Sequence, residues 1–171
     1  MTHARLSEVQ QLEFNRRIDI AYALVPFAAH FFGLRADLTA QIAAGKKRSS
    51  SPWYWVVGLA GIGLHYVFAP PDAKFSVGLW LSLMAFGYWV LTGYTTSKLE
   101  ERRSACVDKL MSIATVWNGA TGYAMFWDME RFVEDGSIDR EDDAFFSWWT
   151  EQRDMVLVRC GAVEAERHDS N

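Results

Sequence analysis

His65 stands inside a run from Ser49 to Pro71 that contains no Asp, Glu, Lys or Arg. An ionisable ring in such a setting is costly to place in lipid, so it faces a partner helix or a water-filled path. Two roles fit it: a neutral imidazole bonded to a backbone carbonyl or a serine, or a group that gates or senses protons. Gly58 and Gly61 share its helical face, and Gly78 and Ser82 form a small-xxx-small pair in the next apolar run. Small residues at that spacing let two membrane helices approach closely.

Other reactive residue types do not converge. His3, His30 and His168 have no metal-binding spacing with His65, and Cys106 and Cys160 have no CxxC partner, so neither a metal nor a cofactor is expected. No serine sits in a GxSxG context, and no acid–base constellation points to an enzyme. Asp135-Gly136-Ser137-Ile138-Asp139 has the order of the second half of a calcium loop. In register, however, Arg131 and Val133 fall where oxygen ligands are required, and Asp142 replaces the bidentate glutamate. Lys46, Lys47 and Arg48 follow Gly45 without the earlier glycine of a phosphate loop, and read as a basic cluster at a membrane surface. Trp117, Trp127, Trp148 and Trp149 suit packing between helices, with Trp148 and Trp149 the candidates for partner binding.

The elements that must hold these residues follow from the charge pattern. Residues 1–52 carry seven Lys/Arg against four Asp/Glu; residues 53–96 carry only Asp72 and Lys74; residues 97–171 carry nine against sixteen. Ser49 to Pro71 and Phe75 to Ser97 are each 23 residues long and free of charge. A helix needs roughly 20 mainly apolar residues to cross the hydrocarbon core. Trp53–Ala69 and Phe75–Tyr94 are therefore expected to form an antiparallel membrane hairpin about the Pro70-Pro71-Asp72-Ala73 turn. Trp53, Tyr54 and Trp55 would lie level with Tyr88, Trp89 and Tyr94 as one aromatic belt, with Tyr66 and Trp80 towards the other face. Lys46-Lys47-Arg48 before the pair and Lys98, Arg102 and Arg103 after it place both termini in the cytoplasm by the positive-inside rule.

The flanks read as helices. Ala4 to Val25 is helical, Pro26 is expected to break or kink the helix, and Phe27, Phe31, Leu34, Leu38 and Ile42 continue an amphipathic stretch to a stop at Gly45. Ile20 to Leu34 is short for a span and carries a proline. Lys98 to Glu134 is expected to be one long helix with a seam of Leu99, Cys106, Leu110, Ile113 and Val116. Within it Ser112, Thr115, Asn118 and Thr121 would mark a contact face. Asp135-Gly136-Ser137 then ends that helix, and Asp139 caps a last helix from Arg140 to Cys160 whose apolar face is Phe145, Trp148, Trp149, Val156 and Cys160.

The chain has 171 residues, of which 50% are hydrophobic, 15% aromatic and 22% charged. That excludes disorder, and two cysteines exclude a disulfide framework. A net charge of −4 argues against a nucleic-acid binder. The polar start MTHARLSEVQ has no apolar core of a secretory signal, so the hairpin itself would direct insertion into an inner (plasma) membrane. The expected fold is all-α: N-terminal amphipathic helices (1–48), a two-span transmembrane hairpin (49–97) and a cytoplasmic C-terminal helical hairpin with a polar tail (98–171). In architecture alone this layout resembles the two-span effectors of bacterial nucleotide-signalled defence systems. That implies an oligomeric, channel-like effector in the lipid bilayer, self-associated and controlled by its cytoplasmic helices. The alternative is a membrane-anchored immunity or adaptor subunit whose acidic C-terminal hairpin binds a cytoplasmic protein.

Overall fold

The computed structural model describes residues 7–68, 76–122, 125–139 and 142–168, with side chains as far as Cys160. It is predominantly helical: α1 (Glu8–Ser49), α2 (Trp53–Phe68), α3 (Val77–Thr121), a 3-10 helix (Met125–Phe132), strands β1 (Val133–Glu134) and β2 (Ser137–Ile138), and α4 (Asp143–His168). Two compact units divide it. Unit 1 takes Met1–Ala36 and Ala105–Asn171, and unit 2 takes Asp37–Ser104. Both α1 and α3 therefore contribute residues to each unit.

In unit 1, Ala21, Val25, Ala28, Ala29 and Phe32 of α1 are buried, as are Cys106, Leu110, Ala114 and Trp117 of α3. These positions recur every three or four residues, the period of one helical face. Trp117 is the hub. It is fully buried, stacks nearly parallel on Trp148 at 6.4 Å, and meets Trp149 and Phe126 at 6.0 Å each. Phe32 reaches the same cluster through Phe126 at 5.5 Å. One face of residues 20–34 and one face of residues 110–121 thus furnish a protein core. Phe14, Val156 and Cys160 close a second apolar patch, with Ile18 and Leu157 against it.

Several local expectations are corrected. Pro26 does not end the helix, because α1 runs through it from Glu8 to Ser49. A proline in a helix interior costs about 3 kcal/mol. Here the buried neighbours Val25, Ala28 and Ala29 hold both flanks of the helix in one packing face. Gly45 is not a stop either: α1 continues past it for another turn.

The expected Lys98–Glu134 helix ends instead at Thr121. Gly122 adopts a φ of 62° and returns its N–H to the Asn118 carbonyl at 2.7 Å. That is the left-handed cap glycine supplies without a Cβ penalty. Asp135 and Gly136 do not terminate a helix. With φ of 49° and 79° they form the two-residue turn of an antiparallel hairpin pairing Val133 with Ile138 and Glu134 with Ser137. An Asp-Gly pair is suited to a turn that needs positive φ at both places. Gly33 of α1 lies against this turn so closely that a Cβ would meet the Gly136 backbone.

Asp142, not Asp139, caps α4, its carboxylate accepting the Ala144 N–H at 2.8 Å. The helix runs beyond Cys160 to His168, and its face of Phe145, Trp148, Trp149, Val156 and Cys160 is buried as the spacing predicts. Of the polar stripe on α3 only Thr121 is buried, its hydroxyl donating to the Trp117 carbonyl at 2.9 Å, and Asn118 is exposed. Ser112 and Thr115 are exposed and give their hydroxyls to carbonyls one turn back, at Asp108 and Met111. Val116 is likewise exposed, and Trp117 takes its place inside.

Unit 2 is built differently. Its buried positions are few: Leu38 and Ile42 of α1, Gly61 of α2, and Gly78, Thr92 and Thr96 of α3. Large apolar side chains, among them Trp53, Trp55, Leu59, Trp80, Phe86 and Leu91, are exposed instead. Two helical segments are long and apolar enough to cross a membrane, Glu8–Phe68 and α3; the apolar window of the first is 28% buried and so falls in α1, since Gly61 is the one buried position of the 16-residue α2. The α3 apolar window is only 6% buried.

Candidate functional site

The antiparallel pairing of α2 with α3 rests on glycine. A Cβ on Gly61 would lie 2.5 Å from the Gly78 carbonyl oxygen and 2.5 Å from Ser82 Oγ, and one on Gly78 would strike the Gly61 carbonyl. No other residue type permits this approach. Ser82 then donates to the Gly58 carbonyl at 2.8 Å, and to its own helix at Gly78 at 3.1 Å. One end of the seam is closed by aromatic contacts, Tyr54 to Tyr88 at 5.4 Å and Trp55 to Trp89 at 6.0 Å. Tyr66 and Trp80 are exposed. The Pro70–Ala73 turn lies outside the described residues.

At the other end, His65 Nδ1 is 2.7 Å from Ser76 Oγ. Ser76 also accepts the Leu79 N–H at 3.4 Å, and its carbonyl accepts the Trp80 N–H at 3.1 Å, so it is the N-cap of α3. The Ser76 hydroxyl joins the His65 ring to the first turn of α3. Thus Gly58, Gly61, His65, Gly78 and Ser82 meet in one seam. The partner of His65 was readable only as a serine ahead of an apolar run, which is a capping signal.

Polar side chains along the α3 apolar half are turned back onto their own helix. Thr92 donates to the Tyr88 carbonyl at 2.8 Å, Thr95 to Thr92 at 2.9 Å, and Thr96 to Thr92 at 2.8 Å. Such bonds satisfy each hydroxyl proton within the helix itself. On the outer side of the seam lies an apolar groove of about 300 Å³, lined by Gly58, Leu59, Ile62, Leu83, Phe86 and others. Gly58 faces it with open space where a Cβ would be.

The basic cluster sits in the last turn of α1. Lys46 Nζ is 2.8 Å from Glu100 Oε1 of α3, and Gly45 seats on Thr96, whose Oγ1 would be 2.6 Å from a Cβ there. Lys46 beside Glu100 holds that carboxyl below its ordinary range, chiefly by hydrogen bonding. Lys47 and Arg48 are exposed.

Unit 1 holds a further polar group that the sequence did not announce. Arg35 and Glu130 form an ion pair, with the guanidinium 5.5 Å from the Phe32 ring and 5.9 Å from the Trp127 ring. Cys106 Sγ donates to the Phe31 carbonyl at 3.2 Å, and burial pushes its thiol up, as it does for Cys160. Neither cysteine is a ready thiolate. Trp148 and Trp149 are spent on the buried cluster around Trp117. Comparison with known proteins finds no matching family model, no matching curated protein and no matching solved structure.

Proposed function

We propose that this chain is a small integral membrane protein of the inner (plasma) membrane, with α2 and the first half of α3 as its two spans and both termini in the cytoplasm. Copies associate through the hairpin into an effector or channel-like assembly, which the helices of unit 1 control. The observation that carries this reading is the inversion in unit 2. Its inner seam is glycine, serine and histidine, while its outward surface is tryptophan, leucine, valine and phenylalanine. Water penalises that surface by about 25 cal/mol per Å² of apolar area, whereas lipid does not. With 16 residues, α2 is about 24 Å long, close to the hydrocarbon thickness once its flanks are added.

Two spans enclose no pore, so the reading requires several copies. The groove beside Gly58 offers a surface where helices of a second copy approach closely. The test is reconstitution of the full chain into sealed vesicles, with ion efflux and chemical cross-linking measured together. Efflux that rises with the cross-linked fraction supports the effector. Vesicles that stay sealed at every protein density refute it and leave a membrane-anchored interaction protein.

A further inference from the structure

Unit 2 contains a cleft of about 530 Å³ lined by Ser49, Ser50, Trp89, Val90, Gly93 and Tyr94. Its origin is a missing side chain. Gly45 packs on Thr96, and the neighbouring Lys46 is tied to Glu100, so the end of α1 is clamped to α3. One turn further along α1, Ser49 and Ser50 pass Gly93, where a Cβ would meet nothing within 4 Å. The cleft therefore has an aromatic and aliphatic wall, and the hydroxyls at its rim are turned back on α1, Ser49 donating to the Lys46 carbonyl at 3.1 Å and Ser50 to the Lys47 carbonyl at 3.2 Å.

Charge is unbalanced around this rim. The last turn of α1 and the 98–103 stretch of α3 carry six basic side chains and two carboxylates. Both carboxylates are engaged, Glu100 by Lys46 and Glu101 by Lys98, each at 2.8 Å. Lys47, Arg48, Arg102 and Arg103 are exposed beyond those pairs. Positive charge suits a phosphate oxygen, and an adjoining wall of tryptophan, valine and tyrosine suits the glycerol and upper acyl region of a lipid.

We propose that this cleft binds one anionic phospholipid, its phosphate at the exposed Lys47 and Arg48 beside the rim and its glycerol–acyl junction along Trp89, Val90 and Tyr94. The inference rests on the membrane reading above and names a site within it. The experiment is native mass spectrometry of the full chain in detergent, titrated with phosphatidylglycerol or with phosphatidylcholine of identical acyl chains. The expected result is retention of phosphatidylglycerol roughly tenfold better than phosphatidylcholine.

Gly93→Leu fills open space and should abolish that preference with the helical signal unchanged. Lys47→Ser with Arg48→Ser should lower it by about tenfold while leaving the cleft intact. Equal retention of the two lipids, or undiminished preference in both variants, overturns the proposal. Displacement of the lipid by millimolar inorganic phosphate overturns it too, since the occupant would then be free phosphate. A chain that leaves the membrane under alkaline wash fails the earlier reading instead, so the two failures are distinguishable.

Discussion

Replacing Gly61 by alanine tests the seam most sharply. The added Cβ would stand 2.5 Å from a backbone carbonyl, Gly78 O, and 3.2 Å from the Ser82 amide nitrogen. Ordinary contact begins near 3.4 Å, so α2 and α3 must part by about 0.9 Å, and a backbone atom cannot swing aside. Overpacking of this kind costs about 1–3 kcal/mol. The displaced Ser82–Gly58 hydrogen bond adds roughly 0.6 kcal/mol in a membrane setting. Alanine recovers about 0.5–1 kcal/mol of helix propensity, leaving the variant less stable by about 1–3 kcal/mol.

Gly63→Ala is the internal control. Nothing lies within 4 Å of a Cβ there, so only the propensity gain applies. Because that gain is common to both, the two variants should differ by about 1.6–3.6 kcal/mol. Unfolding of the full chain in micelles, followed by circular dichroism against added denaturing detergent, measures the difference. Equal stability of the two variants would refute the glycine-seam argument.

Three further outcomes follow from the two units. Trp117→Ala should destabilise unit 1 by about 3–5 kcal/mol, seen as loss of near-ultraviolet ellipticity before helix content falls, because a fully buried ring contacting three aromatic neighbours leaves a cavity. Gly122→Ala should cost about 1–2 kcal/mol in the melting profile, since φ of 62° disfavours any Cβ. Glu100 has a folded pKa below its unfolded value, so its pairing with Lys46 stabilises the chain above the ordinary carboxylate range and that stability is lost as pH falls through the lowered value. Glu100→Gln should therefore flatten the acid limb of the pH–stability curve without moving the neutral plateau relative to Lys46→Met.

The apolar runs were legible because two charge-free stretches, punctuated by Gly61, Gly78 and Ser82, specify both a helix pair and its register. Tyr54 opposite Tyr88 and Trp55 opposite Trp89 follow from that register alone. Pro26 misled because local propensity is a weak term beside tertiary burial, and the residues on either side of it are packed in a core the local sequence cannot reveal. Gly122 and Asp135-Gly136 carried readable left-handed signals, but the apolar period of Leu110–Trp127 masked them by suggesting one continuous helix. Of the stripe Ser112, Thr115, Asn118 and Thr121 on α3 only Thr121 is buried, although all four have helical spacing. Hydroxyls that bond their own backbone look identical in sequence to hydroxyls that face a partner. The cleft at Gly93 was not legible, since it depends on where the end of α1 passes α3.

The proposed spans in α2 and α3 require lipid around them. Membranes from cells expressing the full chain should be washed with alkaline carbonate and the fractions probed for the chain. The chain is expected to stay in the pellet and to be released only by detergent. Recovery in the wash as a monodisperse species that needs no detergent would contradict it.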